Sequence, residues 1–204
     1  MIQTDLKPPR PSRQTKRSFL VLCENEDQSA YLEWLKTEFG HPLLTIRKLP
    51  FGTSPQDAVA HAVRLRRSEK IKGTHFDETW CMLSLKDQQT LEVSLELARS
   101  SGVHLAVTVG DFSNWLRLHW STDEPTPPIL VGETSPAGFA AALHDRIEVA
   151  MRRAGANREI TTVDLLVKAL VESSKAFERR ELDSPQRARD GTGRGTPDTD
   201  LPPG

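Results

Sequence analysis

Short apolar runs that end abruptly in polar residues restrict the fold of this chain more than any other feature. One run is Phe19–Cys23, and a second covers residues 79–83. Glu24 follows the first run, and the polar stretch 84–87 follows the second. Ligands of an open parallel sheet gather outside the carboxyl ends of its strands. If both runs are strands, these polar residues mark the expected functional site.

Strand-like and helix-like patterns alternate between residues 18 and 110. Strand-like stretches occur at 19–23, 43–49, 76–85 and 103–109, separated by segments with apolar residues at helical spacing. Ser54 and Pro55 form the N-cap and first position of the second helix, and Gly40 and Gly102 mark helix ends. This alternation predicts an α/β fold with a mostly parallel sheet of about four strands and helices on both faces.

The pattern becomes helical after the fourth strand. A dense apolar stretch over residues 112–120 predicts a short helix, and a proline-rich break follows at residues 125–128. In residues 137–153, apolar side chains recur at helical spacing, which predicts a helix that ends at Gly155. Thr162 is predicted to cap a last helix that continues to Val171. The sequence therefore predicts C-terminal helices after the sheet.

The two ends of the chain differ in composition from the middle. Residues 1–17 combine prolines with lysines and arginines, a composition that buries too little apolar surface to offset the entropy of ordering. Residues 176–204 are rich in proline and glycine. We therefore predict a disordered basic lead-in (1–17), one domain (18–175) and a disordered tail (176–204).

Charge and cysteine content exclude several classes of protein. The 27 basic and 28 acidic residues give a net charge of -1, so no global basic field indicates binding to nucleic acid or to an anionic membrane. Cys23 and Cys81 lie inside apolar runs, which fits reduced packing thiols of a cytosolic protein. No signal-peptide or membrane-spanning stretch is visible. A cytoplasmic protein without membrane partners is expected.

Several short motifs, in their order along the chain, resemble the RloB family. They are the run at 18–24, the segment at 76–82, the helix from Leu91 leading into the strand at 103–107, the patch at 112–119 and the stretch at 161–167. The resemblance covers roughly residues 18–172. Proteins of this family are small, bacterial and Toprim-like, are associated with abortive phage resistance, and are often encoded beside an ATPase. The resemblance implies a Toprim-like fold and a possible ATPase partner.

A divalent-metal site is the main chemical implication of this resemblance. In Toprim-type enzymes a glutamate after the first strand and an aspartate cluster after the third bind Mg²⁺ for phosphodiester chemistry. Glu24 retains the glutamate, although Asn25 stands where the family favours glycine. In the aspartate cluster, Ser84 and Lys86 stand at positions where the family has acidic residues. Asp87 is the one aspartate of the cluster that this sequence retains. Glu24 and Asp87 are therefore the candidate catalytic and metal-binding residues.

Lys86 argues against a working magnesium site. An ammonium close to Mg²⁺ repels it by several kcal/mol at an effective dielectric of about 20, unless the lysine points away and Asp87 or Asp111 turns in. Lys86 could instead bind a phosphate, or form an ion pair with Glu24 or Asp87. Gly52 and the turn around it could seat an anion at the start of the second helix, although a plain N-cap explains this stretch as well.

A basic cluster near the end of the second helix is a candidate nucleic-acid contact. It contains Arg64, Arg66, Arg67, Lys70 and Lys72. Cations at a helix C-terminus are expected from the helix dipole alone, so a solvated face is the simpler explanation of the cluster and a nucleic-acid contact is the alternative. Arg152, Arg153 and Arg158 form a second cluster with the same two explanations.

Three functional hypotheses follow from these residues. The first is a catalytically degenerate RloB-like component of an anti-phage system, which acts through partner binding or sensing and needs no cofactor. The second is a Mg²⁺-dependent nuclease with an altered ligand set. The third is a non-catalytic domain that binds RNA or DNA through Lys86 and the arginine clusters.

Overall fold

The structure is a computed structural model that describes residues 17–41, 43–86, 88–120, 124 and 142–183. Of residues 88, 89, 91 and 175–183 only the backbone is described. The predicted lead-in, apart from Arg17, and residues 184–204 of the predicted tail lie outside the described residues. Arg17 pairs with Glu78 across 2.6 Å.

Strands and helices alternate along the first part of the chain, and helices follow. The strands are β1 (Phe19–Cys23), β2 (Leu44–Lys48), β3 (Glu78–Leu85) and β4 (His104–Val109). The helices are α1 (Glu26–Glu38), α2 (Pro55–Ile71), α3 (Gln88–Ser101), α4 (Ser113–Arg117), α5 (Ile147–Ala156) and α6 (Val163–Asp183), with a 3-10 turn at His144–Arg146. The predicted α/β fold with C-terminal helices is confirmed.

The four strands form one parallel sheet in the order β2-β1-β3-β4. The chain leaves β1 toward β2 on one side and later returns to β3 on the other side. The connections after β1 and after β3 therefore diverge, which opens a crevice at the carboxyl ends of these two strands. Ligand sites of open α/β sheets lie at such a switch point.

Alternate residues of each strand supply two separate cores, because successive strand side chains point to opposite faces. Phe19 and Val21 belong to the face covered by α1, α4, α5 and α6. Leu20 and Leu22 belong to the face covered by α2 and α3. The central strand β1 is thus buried on both faces, which explains why it is a continuous apolar run, whereas the edge strand β2 is partly exposed.

Side-chain caps begin the two helices that follow β1 and β2. Asn25 accepts a hydrogen bond from the Gln28 backbone N–H at 2.9 Å and starts α1. Ser54 accepts one from the Asp57 N–H at 3.1 Å and donates to the Asp57 carboxylate at 2.7 Å. The predicted N-cap at Ser54 is confirmed, and Asn25 provides a second N-cap that the sequence pattern does not predict.

The segment before α6 covers the open edge of β4. Thr161 forms an antiparallel bridge with Thr108, and its hydroxyl donates to the Val107 carbonyl at 2.8 Å. The Thr162 hydroxyl donates to the Leu105 carbonyl at 3.2 Å and accepts from the Val107 N–H at 3.1 Å. Thr162 directly precedes the last helix, as predicted. Its hydroxyl, however, forms hydrogen bonds with the backbone of β4.

The boundaries of the C-terminal helices differ from the sequence pattern. α5 begins at Ile147, after the 3-10 turn, and ends at Ala156. α6 continues to Asp183, past Val171 and past the predicted domain boundary at residue 175. Residues 137–141 of the predicted helix lie outside the described part of the chain. Within the described residues, no helix has the length and apolar character needed to cross a membrane.

Candidate ligand-binding cleft

A cleft of about 500 Å³ lies at the carboxyl ends of the strands. Its lining comes from the segments that follow all four strands, so it coincides with the switch point of the sheet. The lining residues are Glu24, Asn25, Pro50, Phe51, Gly52, Thr53, Ser84, Leu85, Lys86, Gly110 and Asp111. The structure thereby brings Glu24 and Lys86 into one cleft. A volume of this size is typical of small-molecule sites, which span roughly 300–1,000 Å³.

Glu24 joins the ends of β1 and β3. Its Oε2 accepts a hydrogen bond from the Ser84 backbone N–H at 2.6 Å. Gln28, in the first turn of α1, accepts from the Glu24 N–H at 2.8 Å and donates to the Ser84 hydroxyl at 3.3 Å. The carboxylate therefore belongs to a network that fixes the two strand ends relative to each other.

Burial controls the acidity of Glu24. Loss of water around the half-buried side chain raises its pKa above the ordinary value. Hydrogen bonds from Ser84 and Gln28 favour the charged form and offset this effect only in part. A carboxyl group in such a setting binds a proton more readily than an exposed glutamate does.

Lys86 is exposed at the cleft, directly after β3. Between the described residues, no ion pair joins it to Glu24, so this sequence-based alternative is not what the structure shows. Asp87, the other proposed partner and the second predicted metal ligand, lies outside the described residues. Among the described residues, Lys86 has no ion-pair partner, and its exposed side chain lines the cleft.

Asp111 and Gly110 form the wall of the cleft after β4. Asp111 accepts a hydrogen bond from the Ser113 N–H at 2.7 Å and is exposed. Gly110 has φ of +82°, and a Cβ there would lie 2.8 Å from the Asn114 Nδ2. Because L side chains rarely adopt that backbone conformation, a larger residue at position 110 would strain this wall of the cleft.

The described donor set does not fit the magnesium pair that the family resemblance implies. Within the described residues, no group of three or more His, Cys, Asp or Glu side chains is placed to hold a metal ion. Among the described residues, the carboxylates that line the cleft are Glu24 and Asp111, and Glu24 already accepts the Ser84 N–H. Lys86 adds a positive charge to the same lining.

The predicted arginine contacts lie far from this cleft. α2 begins at Pro55, two residues after the lining residue Thr53, and Arg66 lies about 17 Å along the helix from Pro55 at 1.5 Å per residue. Arg66 donates to the Gly102 and Ser101 carbonyls at 2.6 Å and 3.2 Å, so it caps the end of α3.

The other arginines of the two clusters divide between solvent and internal contacts. Arg64 and Arg67 are exposed, and Arg67 lines a second cavity of about 340 Å³ near the start of β3. Arg153 donates to the Leu118 carbonyl at 3.0 Å, and Arg158 pairs with Asp164 across 2.5 Å. The structure therefore does not bring Lys86 and the arginines together on one surface.

Both cysteines are packing residues. Cys23 and Cys81 are free and buried. Burial raises the pKa of the Cys23 thiol to about 11 and that of the Cys81 thiol to about 12. Neutral thiols of this kind are weak nucleophiles.

Phe51 is the cleft residue that the sequence analysis missed. It lies in the turn between β2 and α2 and is fully exposed to solvent. The sequence does show that Phe51 precedes a glycine in the loop between a strand and a helix N-cap, which could have indicated an aromatic residue near the ligand site. The apolar pattern could not show whether the ring packs inward or stands at the rim.

Comparisons of the chain with protein-family models, curated proteins and solved structures return no match. The resemblance to the RloB family therefore stays a prediction.

Proposed function

We propose that this protein is a catalytically degenerate, RloB-like component of a bacterial anti-phage system of the abortive-infection type. It acts in the cytoplasm through partner binding or sensing. The main support is the environment of Glu24, the position of the family glutamate, whose carboxylate accepts the Ser84 N–H at 2.6 Å. Glu24 thus has a structural role that needs no metal, and Ser84 and Lys86 stand where the family carries acids.

The cleft supports binding without a reaction. Its described lining combines one cation, Lys86, with two carboxylates, Glu24 and Asp111. Such mixed polar groups select a ligand by charge and hydrogen bonds. An ATPase partner is an implication of the family resemblance alone.

A Mg²⁺-dependent nuclease is the second candidate, because Glu24 and Asp111 line the same cleft and Asp87 follows Lys86. The third hypothesis, a nucleic-acid-binding domain, receives less support. It requires Lys86 to act together with Arg64, Arg66 and Arg67, which lie toward the far end of α2.

Phage protection in the native host tests the proposed function. We expect deletion of the gene to raise the efficiency of plating, because the defence system loses a component. Complementation with Glu24→Gln should restore protection, since the amide oxygen can still accept the Ser84 N–H. The matched control is the wild-type gene, with both protein levels checked by immunoblot.

Two outcomes contradict the proposal. Unchanged plating after deletion would exclude a role in defence. Loss of protection in Glu24→Gln at normal protein level would favour the nuclease, as would Mg²⁺-dependent cleavage of labelled tRNA or plasmid by the wild type that Glu24→Gln lacks.

A further inference from the structure

Phe51 is an exposed aromatic ring at the rim of the cleft. Phe19, Phe76 and Phe112 are buried, whereas Phe51 is fully exposed in the turn that precedes α2. The turn leaves the ring without a packing role. Flat aromatic rings beside a cleft are surfaces on which planar ligands stack, and nucleobases stack on them regardless of their identity.

The polar groups of the same cleft complement the rest of a nucleotide. Lys86 is exposed in the lining, and a lysine ammonium is a common phosphate contact. Asp111 is an exposed carboxylate, and carboxylates accept hydrogen bonds from ribose hydroxyls in dinucleotide-binding folds. The cleft therefore offers contacts for a base, a sugar and a phosphate.

The charge distribution favours a single nucleotide over a nucleic-acid strand. A strand needs a basic groove that follows many phosphates. The described lining holds one cation against two carboxylates, and the arginines of α2 lie beyond the first half of that helix. A strand would bring several phosphates toward Glu24 and Asp111, with Lys86 as the one cation of the described lining, whereas a mononucleotide brings a single phosphate that Lys86 can contact directly.

We infer that the cleft binds a free mononucleotide, with the base stacked on Phe51 and the phosphate at Lys86. This inference rests on the proposed function, because it names the ligand that a sensing module of this kind would detect. Glu24 holds the ends of β1 and β3 in place beneath the ligand, and Asp111 contacts the ribose.

Calorimetric titration of the full chain with AMP, GMP, CMP and UMP tests the inference. Phe51→Ala should weaken binding at least about fivefold, from the stacking contribution of one base. Phe51→Trp should retain binding because the larger ring also stacks. The matched control is Ile71→Ala, which removes another strongly exposed apolar side chain at the far end of α2.

Lys86→Gln provides an independent check. We expect weaker binding of AMP, with little change in binding of adenosine, because only the phosphate contact is lost. An oligonucleotide of the same base should bind more weakly than the mononucleotide. That comparison separates a nucleotide site from a strand-binding surface.

Three results would overturn the inference: no saturable binding of any mononucleotide to the wild type, equal loss in Phe51→Ala and Ile71→Ala, or tighter binding of the oligonucleotide. None of them bears on phage protection by Glu24→Gln. Failure of the nucleotide site is therefore distinguishable from failure of the proposed function.

Discussion

At the scale of single residues, Glu24 shows how one carboxylate can serve either structure or catalysis. It follows a buried strand, where the fold exposes polar groups to ligands. Its Oε2 nevertheless accepts a backbone N–H from Ser84 on the neighbouring strand. Unsatisfied amides in a partly buried position cost about 1–3 kcal/mol, so this bond stabilises the carboxyl ends of the two central strands, β1 and β3. The sequence predicts that Glu24 follows the first strand, as it does in the structure, but it does not predict the hydrogen bond with Ser84.

His119 makes the free energy of unfolding depend on pH. The ring is almost completely buried beside Tyr31 and Trp115, and burial lowers its pKa to about 4. Arg146 and Arg153 contribute in the same direction. The unfolded state binds the proton near pH 6.5, whereas the folded state resists it down to about pH 4. The free energy of unfolding should therefore fall by about 3 kcal/mol as the pH drops through this window.

Urea denaturation at pH 7 and pH 4, compared between the wild type and His119→Phe, measures this effect. The difference between the two proteins cancels the other groups that titrate in the window, including Glu24 and Asp77. We expect the variant to lose less stability on acidification. An identical loss in both proteins would show that His119 is not buried in its neutral form.

At the scale of elements, the segment 160–162 acts as an edge cover for β4. Thr162 is buried, and its hydroxyl makes two hydrogen bonds to the β4 backbone. Open strand edges can pair with other chains, so a covered edge also limits aggregation. The sequence indicated a helix cap at Thr162 because threonine before an apolar helix fits that role. The local sequence around Thr162 cannot predict its hydrogen bond with Val107, because the two residues are 55 positions apart.

Replacement of Thr162 tests the edge cover. Thr162→Val keeps the shape but leaves the Val107 N–H without its acceptor, and we expect a loss of about 1–3 kcal/mol in the free energy of unfolding. Thr162→Ser keeps the hydroxyl and should lose less. Equal effects of the two variants in urea denaturation would mean that the hydroxyl bonds contribute nothing.

At the scale of the whole molecule, sequence patterns predicted much more of the fold than of the site. The strands and the N-cap at Ser54 follow from local periodicity and capping, so the layered architecture was predictable. The cleft depends on strand order, which decides that the ends of β1 and β3 diverge. The exposure of Phe51 and the contact of Arg66 with Gly102 could not be predicted from local sequence, because both depend on distant parts of the chain.

The central claim is that the sheet and its cleft persist without the negative charge that a magnesium pair needs. Titration of Mn²⁺ into the full chain, followed by electron paramagnetic resonance, tests it most directly. We expect the wild type and Glu24→Gln to bind Mn²⁺ equally weakly, whereas Lys86→Asp, which restores an acid, binds more tightly. Saturable binding by the wild type that Glu24→Gln abolishes would contradict the account.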